Sequence, residues 1–89
     1  MGHEIVPLSV KRLICFDGAG SLKAFCDVTY GGVLIKGVRI VEGKHGVFVS
    51  MPRMQGKDAR WYDTIVPLTK ATSEQFTAVL LAAYRKEKS

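Results

Sequence analysis

Along most of the chain the apolar residues recur with a period of two, the spacing that places alternate side chains on one face of a β-strand. From Ile5 to Phe16 the apolar positions Val6, Leu8, Val10, Ile14 and Phe16 alternate, interrupted only by Arg12, and predict a first strand. Pro7 near its start suits a strand beginning or a sheet edge, because proline has no amide to give a ladder. Asp17-Gly18-Ala19-Gly20-Ser21 reads as a turn. Leu22 to Tyr30 then resumes the alternation, with Leu22, Ala24, Cys26, Val28 and Tyr30 on one face. Gly31-Gly32 is a second tight turn, leading into a β-branched run from Val33 to Val41 that Lys36 and Arg39 interrupt. Gly37 inside that run marks a bulge or bend.

After Glu42-Gly43-Lys44-His45-Gly46, the segment Val47 to Met51 predicts a short strand stopped by Pro52. Arg53 to Arg60 is polar, basic and contains Gly56, which predicts a loop without regular structure. Trp61 to Val66 reads as a fifth strand, closed by Pro67. Thr72-Ser73-Glu74-Gln75 has the spacing of a capping box, with Thr72 as the cap and Glu74 at the positive end of the helix dipole. Phe76, Val79, Leu80, Ala83 and Tyr84 follow at the spacing of a helix packed by one stripe. The expected architecture is α+β: a five-stranded antiparallel sheet with a C-terminal helix packed on it, in one domain over residues 1–89.

Composition narrows the class. Hydrophobic residues are 47% of the chain and charged ones 24%, a balance of a folding globular domain. A chain of 89 residues leaves much of its surface wet, and sharing apolar surface with a second copy is one remedy. Cys15 and Cys26 fall in strand-like segments at no zinc or redox spacing, so both are read as buried thiols of a cytoplasmic protein. His3 and His45 are isolated, and no cofactor or metal site is expected. No segment is long and apolar enough to predict a membrane span.

The net charge of +5 points toward polyanions, because cations that neutralise phosphates release condensed counterions. The charge clusters in two places. Arg53, Lys57 and Arg60 stand against Asp58 in the central loop, and Arg85, Lys86 and Lys88 stand against Glu87 at the C-terminus. Trp61 and Tyr62 adjoin the first cluster, and alternation puts them on opposite faces; Trp61 is expected in the core or an interface. Catalysis finds no such constellation. The carboxylates are scattered singly, and Asp63 is read as a partner of loop amides or of an arginine such as Arg60 or Arg39. Gly43-Lys44-His45-Gly46 is too short for a phosphate-binding loop and precedes a strand, so His45 is read as an exposed turn residue.

Together, Val38-Arg39-Ile40-Val41-Glu42-Gly43, Gly46-Val47-Phe48-Val49-Ser50-Met51-Pro52-Arg53 and Asp63-Thr64-Ile65-Val66-Pro67-Leu68 resemble the pattern RVxxGxxGxFVxMPS followed by GxxxDIxxPI of the SpoVG (stage V sporulation protein G) family. Ala78-Val79-Leu80 to Tyr84 is similar to that family's closing helix. The resemblance runs from about residue 8 to 85, with Arg53 standing where many members have Ser. It implies a five-stranded sheet with a C-terminal helix, a homodimer, and a non-catalytic, site-specific DNA- and RNA-binding regulator in septation and sporulation control. Carried onto matching positions it points to Arg53 and, more loosely, to Arg85 and Lys86; Lys57, Arg60 and Lys88 are added on charge alone. The expected partners are nucleic acid and a second copy, without membrane or small-molecule substrate. The alternative is a protein-interaction adaptor in cell-division or envelope control.

Overall fold

A computed structural model describes residues 6–16, 18 and 20–88. The element order is β1 (Leu8–Cys15), β2 (Leu22–Tyr30), β3 (Val33–Gly43), β4 (Gly46–Ser50), β5 (Arg53–Gln55), β6 (Trp61–Asp63) and α1 (Lys70–Lys88). The first four strands form an antiparallel meander in the order β1-β2-β3-β4. The expected five-stranded sheet is corrected by the last two strands, which pair only with each other as a separate hairpin. Pro52 stands where the chain leaves β4, and without an amide it cannot extend the ladder. Of the first turn, Asp17 and Ala19 lie outside the described residues, as do His3 and Ile5.

The helix lies on one face of the four-stranded sheet. Its Phe76 and Leu80 are buried against Ala24, Cys26 and Val28 of β2 and Val38 and Ile40 of β3, and Leu81 completes the same core. The Tyr30 and Phe76 rings meet with centroids 5.3 Å apart. In β1 the expected alternation holds only to Val10. Val10 pairs with Val28 and Arg12 with Asp27, so Lys11 is an extra residue that reverses which side chains face inward. Leu13 and Cys15 therefore pack against the core, while Ile14 and Phe16 are 39% and 41% exposed. Gly37 is the corresponding extra residue of β3, as the sequence predicts. Cys26 pairs with Val38 and Asp27 with Lys36, and Gly37 has φ of +86°, which an L side chain rarely adopts.

The helix begins earlier than the capping-box reading has it, at Lys70. Thr69 is the cap: its hydroxyl accepts the Thr72 amide at 3.1 Å, three residues on. Thr72 sits inside the first turn, and the Gln75 side chain, instead of reaching back to a cap, donates to the Val6 carbonyl at 2.9 Å. That bond ties the start of α1 to the chain entering β1. Glu74 consequently lies beyond the first turn, which holds no acidic residue, whereas Arg85, Lys86 and Lys88 do occupy the last turn beside the negative end of the dipole.

Candidate nucleic-acid interface

The β5–β6 hairpin organises the first basic cluster. Arg53 pairs with Asp63, Met54 with Tyr62 and Gln55 with Trp61. Thr64 closes the base, its amide donating to the Pro52 carbonyl at 3.0 Å. At the tip the Ala59 amide donates to the Gly56 carbonyl at 3.1 Å and the Gly56 amide to the Arg60 carbonyl at 2.8 Å. Ala59 has φ of +66°, so the tip is a tight turn followed by a left-handed residue, a recurrent three-residue hairpin connection. The segment expected as an irregular loop is thus ordered by backbone hydrogen bonds.

Side chains reinforce it. The Tyr62 hydroxyl donates to Asp58 Oδ2 at 2.6 Å, and the Arg60 amide donates to Asp58 Oδ1 at 3.1 Å. These two bonds, the tyrosine's first, hold the Asp58 carboxyl below its usual range, and the carboxylate in turn raises the Tyr62 phenol. The ring of Tyr62 covers Gly56 so closely that a Cβ there would stand 2.8 Å from the ring edge. Arg53 Nε donates to Asp63 Oδ1 at 2.9 Å, so Asp63 does pair with an arginine, as expected, but that arginine is Arg53, directly across the hairpin, in place of Arg60 or Arg39. Part of the Arg53 charge is balanced within the protein, while Lys57 and Arg60 are exposed on the turn and its return.

Trp61 is 58% exposed and Tyr62 50%, so of the two places expected for Trp61, core or interface, the core is ruled out. The two three-residue strands form a sheet of their own, and among the described residues Trp61 is left exposed on it. Cations and exposed aromatic rings therefore share one projecting hairpin, a combination that holds phosphates by charge and bases by stacking.

The second cluster is elsewhere. Lys86 lines a surface depression with Val10, Lys11, Arg12 and Leu13 of β1, whereas Arg53 continues from β4. Those are opposite edges of the sheet, three strand spacings or about 14 Å apart. One chain thus carries the two sequence-predicted clusters on separate edges, and Lys11 and Arg12 line the depression beside the second without having been assigned to it. Their signal in the sequence is the break in alternation at Arg12.

Other candidates recede. His45 is exposed in the β3–β4 turn. Cys15 and Cys26 are free thiols, and burial, then the neighbouring Cys15 and Asp27, pushes the Cys26 thiol up to about 11, away from nucleophilic use. Among the described residues no group of three or more His, Cys, Asp or Glu could hold a metal, and no helix is long and apolar enough to cross a membrane.

A family model described as SpoVG matches residues 4–86, nearly the whole chain. The chain belongs to the SpoVG family. It is 32% identical over 77 residues to a relative from Archaeoglobus fulgidus, covering 85% of this chain and 91% of that protein. It is 31% identical over 87 residues to one from Clostridium acetobutylicum, covering 97% of this chain and 88% of the other. A longer relative from Symbiobacterium thermophilum is 37% identical over 82 residues, 91% of this chain but 56% of that protein. Each carries the name "Putative septation protein SpoVG". SpoVG membership confirms the resemblance drawn from the central motifs. In this member those motifs build the second half of β3, β4, and the passage from the last hairpin residue, Asp63, toward the helix.

Proposed function

We propose that the protein is a non-catalytic nucleic-acid-binding regulator that works as a homodimer in gene regulation and in septation or sporulation control. The observation that carries this reading is the β5–β6 hairpin, where Arg53, Lys57 and Arg60 flank the exposed rings of Trp61 and Tyr62. Phosphate contacts supply most of the affinity, and the helix end with Arg85, Lys86 and Lys88 adds a second set.

Pairing is favoured by apolar surface left uncovered in one chain. Tyr30, Ile35, Met51, Ile65, Pro67 and Phe76 line a groove of about 210 Å³, bordered by Val66 at 60% and Leu68 at 93% exposure. Beside it, β3 pairs with β4 only from Arg39 to Gly43, so among the described residues the half of β3 from Val33 to Val38 has an unpaired edge on that side. A second copy seated there covers the groove and brings two hairpins onto one assembly. The same edge suits capture of a strand from another protein, which is the adaptor reading.

Two measurements test the proposal. Replacing Arg53, Lys57 and Arg60 together by Ala weakens binding to duplex DNA and flattens the log–log salt dependence by up to about 2.7, at about 0.9 per phosphate contact. An unchanged slope removes the hairpin from the site. Light scattering at micromolar concentration reports twice the mass of 9.8 kDa; a monomer contradicts the homodimer and leaves the open edge to a different protein.

A further inference from the structure

The face of the four-stranded sheet opposite α1 is covered by no element among the described residues, and the strand register gathers cations on it from distant parts of the chain. Arg12 of β1 stands beside Asp27 of β2, which stands beside Lys36 of β3. In the next row Ile14, Phe25 and Arg39 are neighbours across the same three strands. The Arg39 guanidinium lies 5.7 Å from the centre of the Phe25 ring, a cation–π stack. Arg12, Ile14, Phe25, Asp27 and Lys36 line a shallow depression of about 330 Å³. Farther along the face, Phe48 of β4 is 50% exposed on the same side as its partner Val41.

Three exposed cations thus surround one carboxylate, and Asp27 also accepts the Gly37 amide at 3.4 Å. The surface is positively charged, flat, and floored by aromatic and aliphatic side chains. A duplex hides the faces of its bases within its own stack, so it could meet this surface only through phosphates.

We infer that this open sheet face is a second nucleic-acid site, which takes a single strand with its bases laid on Phe48 and on the Arg39 guanidinium that caps Phe25, and its phosphates on Arg12, Lys36 and Arg39. This assignment rests on the nucleic-acid reading above and adds to it a ligand form and a surface separate from the hairpin. The reason is geometric: unpaired bases offer π-faces for rings on a sheet, and cations interleaved with those rings track the backbone. The Arg39 guanidinium, held flat by its stack on Phe25, offers its outer face to a base.

The test uses fluorescence anisotropy with labelled single-stranded U15 and dT15 and with a blunt 15-base-pair duplex, on the full chain, its Arg12→Gln/Lys36→Gln/Arg39→Gln variant and a Phe48→Ser variant. Circular dichroism and light scattering confirm fold and mass for each. The triple variant is expected to lose at least about tenfold in single-strand affinity, with the salt slope reduced by up to about 2, at about 0.7 per contact. Duplex binding, carried by the hairpin and the helix end, is expected to fall by less than about threefold, since of the three replaced cations only Arg12 adjoins either of those sites. Phe48→Ser is expected to weaken single-strand binding severalfold at an unchanged salt slope, the mark of lost stacking. If single strands bind and neither variant alters them, the face assignment is overturned while the nucleic-acid reading stands. If no form of nucleic acid binds the unmodified protein, the underlying reading fails as well. A mass that halves in the triple variant shows that the face joins two copies, which also overturns it.

Discussion

Replacing Ala59 by Gly should make the basic hairpin more rigid, although it removes a side chain. Ala59 holds φ of +66° at the hairpin tip, a conformation in which its Cβ crowds the following carbonyl. That crowding costs about 1–2 kcal/mol for an L-residue. Glycine relieves it but loses about 0.5–1 kcal/mol more backbone entropy on ordering. The balance is a stabilisation of about 0.5–1 kcal/mol, a two- to fivefold shift in the local opening equilibrium at about 1.4 kcal/mol per factor of ten. The effect is local, so the direct reporter is the Gly56 amide, whose bond to the Arg60 carbonyl at 2.8 Å breaks whenever the tip opens. Amide exchange in the variant should slow two- to fivefold at Gly56 and stay unchanged at Val38 and Ile40 in the core. If the hairpin melts only with the rest of the protein, the gain appears instead as a rise in Tm of about 3–5 °C, from an unfolding entropy of about 2.1 cal/mol/K per residue. Faster exchange at Gly56, or a lowered Tm, would refute the left-handed assignment of residue 59.

Other perturbations follow from the same geometry. Leu80→Ala empties a fully buried position under the sheet and should cost about 2–5 kcal/mol in urea unfolding, while a cost below about 1 kcal/mol would mean that α1 does not pack there. Gly37→Ala forces a side chain into φ of +86° at the β3 bulge and should cost about 1–2 kcal/mol; a neutral result contradicts the bulge. The Asp58–Tyr62 bond gives a pH signature with a definite sign. Asp58 is lowered in the folded state, so its contribution is complete above the ordinary carboxylate value of about 3.9 and is lost as pH falls through the lowered one. Tyr62 is raised, so its contribution is complete below about 10 and is lost as pH rises through the raised value. Tyr62→Phe should move the Asp58 carboxyl midpoint, followed by NMR, upward toward the ordinary value, and an unmoved midpoint would exclude the bond.

The meander and the helix are legible because each buries one apolar set at a fixed period: Ala24, Cys26 and Val28 in β2, and Phe76 and Leu80 in α1. What escapes the sequence is whatever breaks the period. The extra residue Lys11 hands the core face of β1 from one apolar set to the other, and both Leu13/Cys15 and Ile14/Phe16 are chemically suited to burial, so only pairing with β2 decides. The hairpin is missed because its strands have three residues each and its left-handed position holds Ala59, where glycine or asparagine would have signalled the turn. Thr72 imitates a cap because Gln75 stands at the right spacing, but Gln75 is taken by the Val6 carbonyl, a contact across 69 positions. The hairpin cations are adjacent enough in sequence to be read as a cluster. Arg12, Lys36 and Arg39 meet only through strand register, and their trace in the sequence is that they interrupt alternation.

The central claim is that this SpoVG family member holds polyanions chiefly through phosphate contacts, and the salt dependence of its equilibrium binding to a random pool of short DNA duplexes and single-stranded RNAs measures that directly. The account predicts saturable binding at low salt, with log affinity falling linearly in log salt at about 0.9 per contact on duplex and about 0.7 on single strands. Absence of saturable binding to either form at low salt would contradict it.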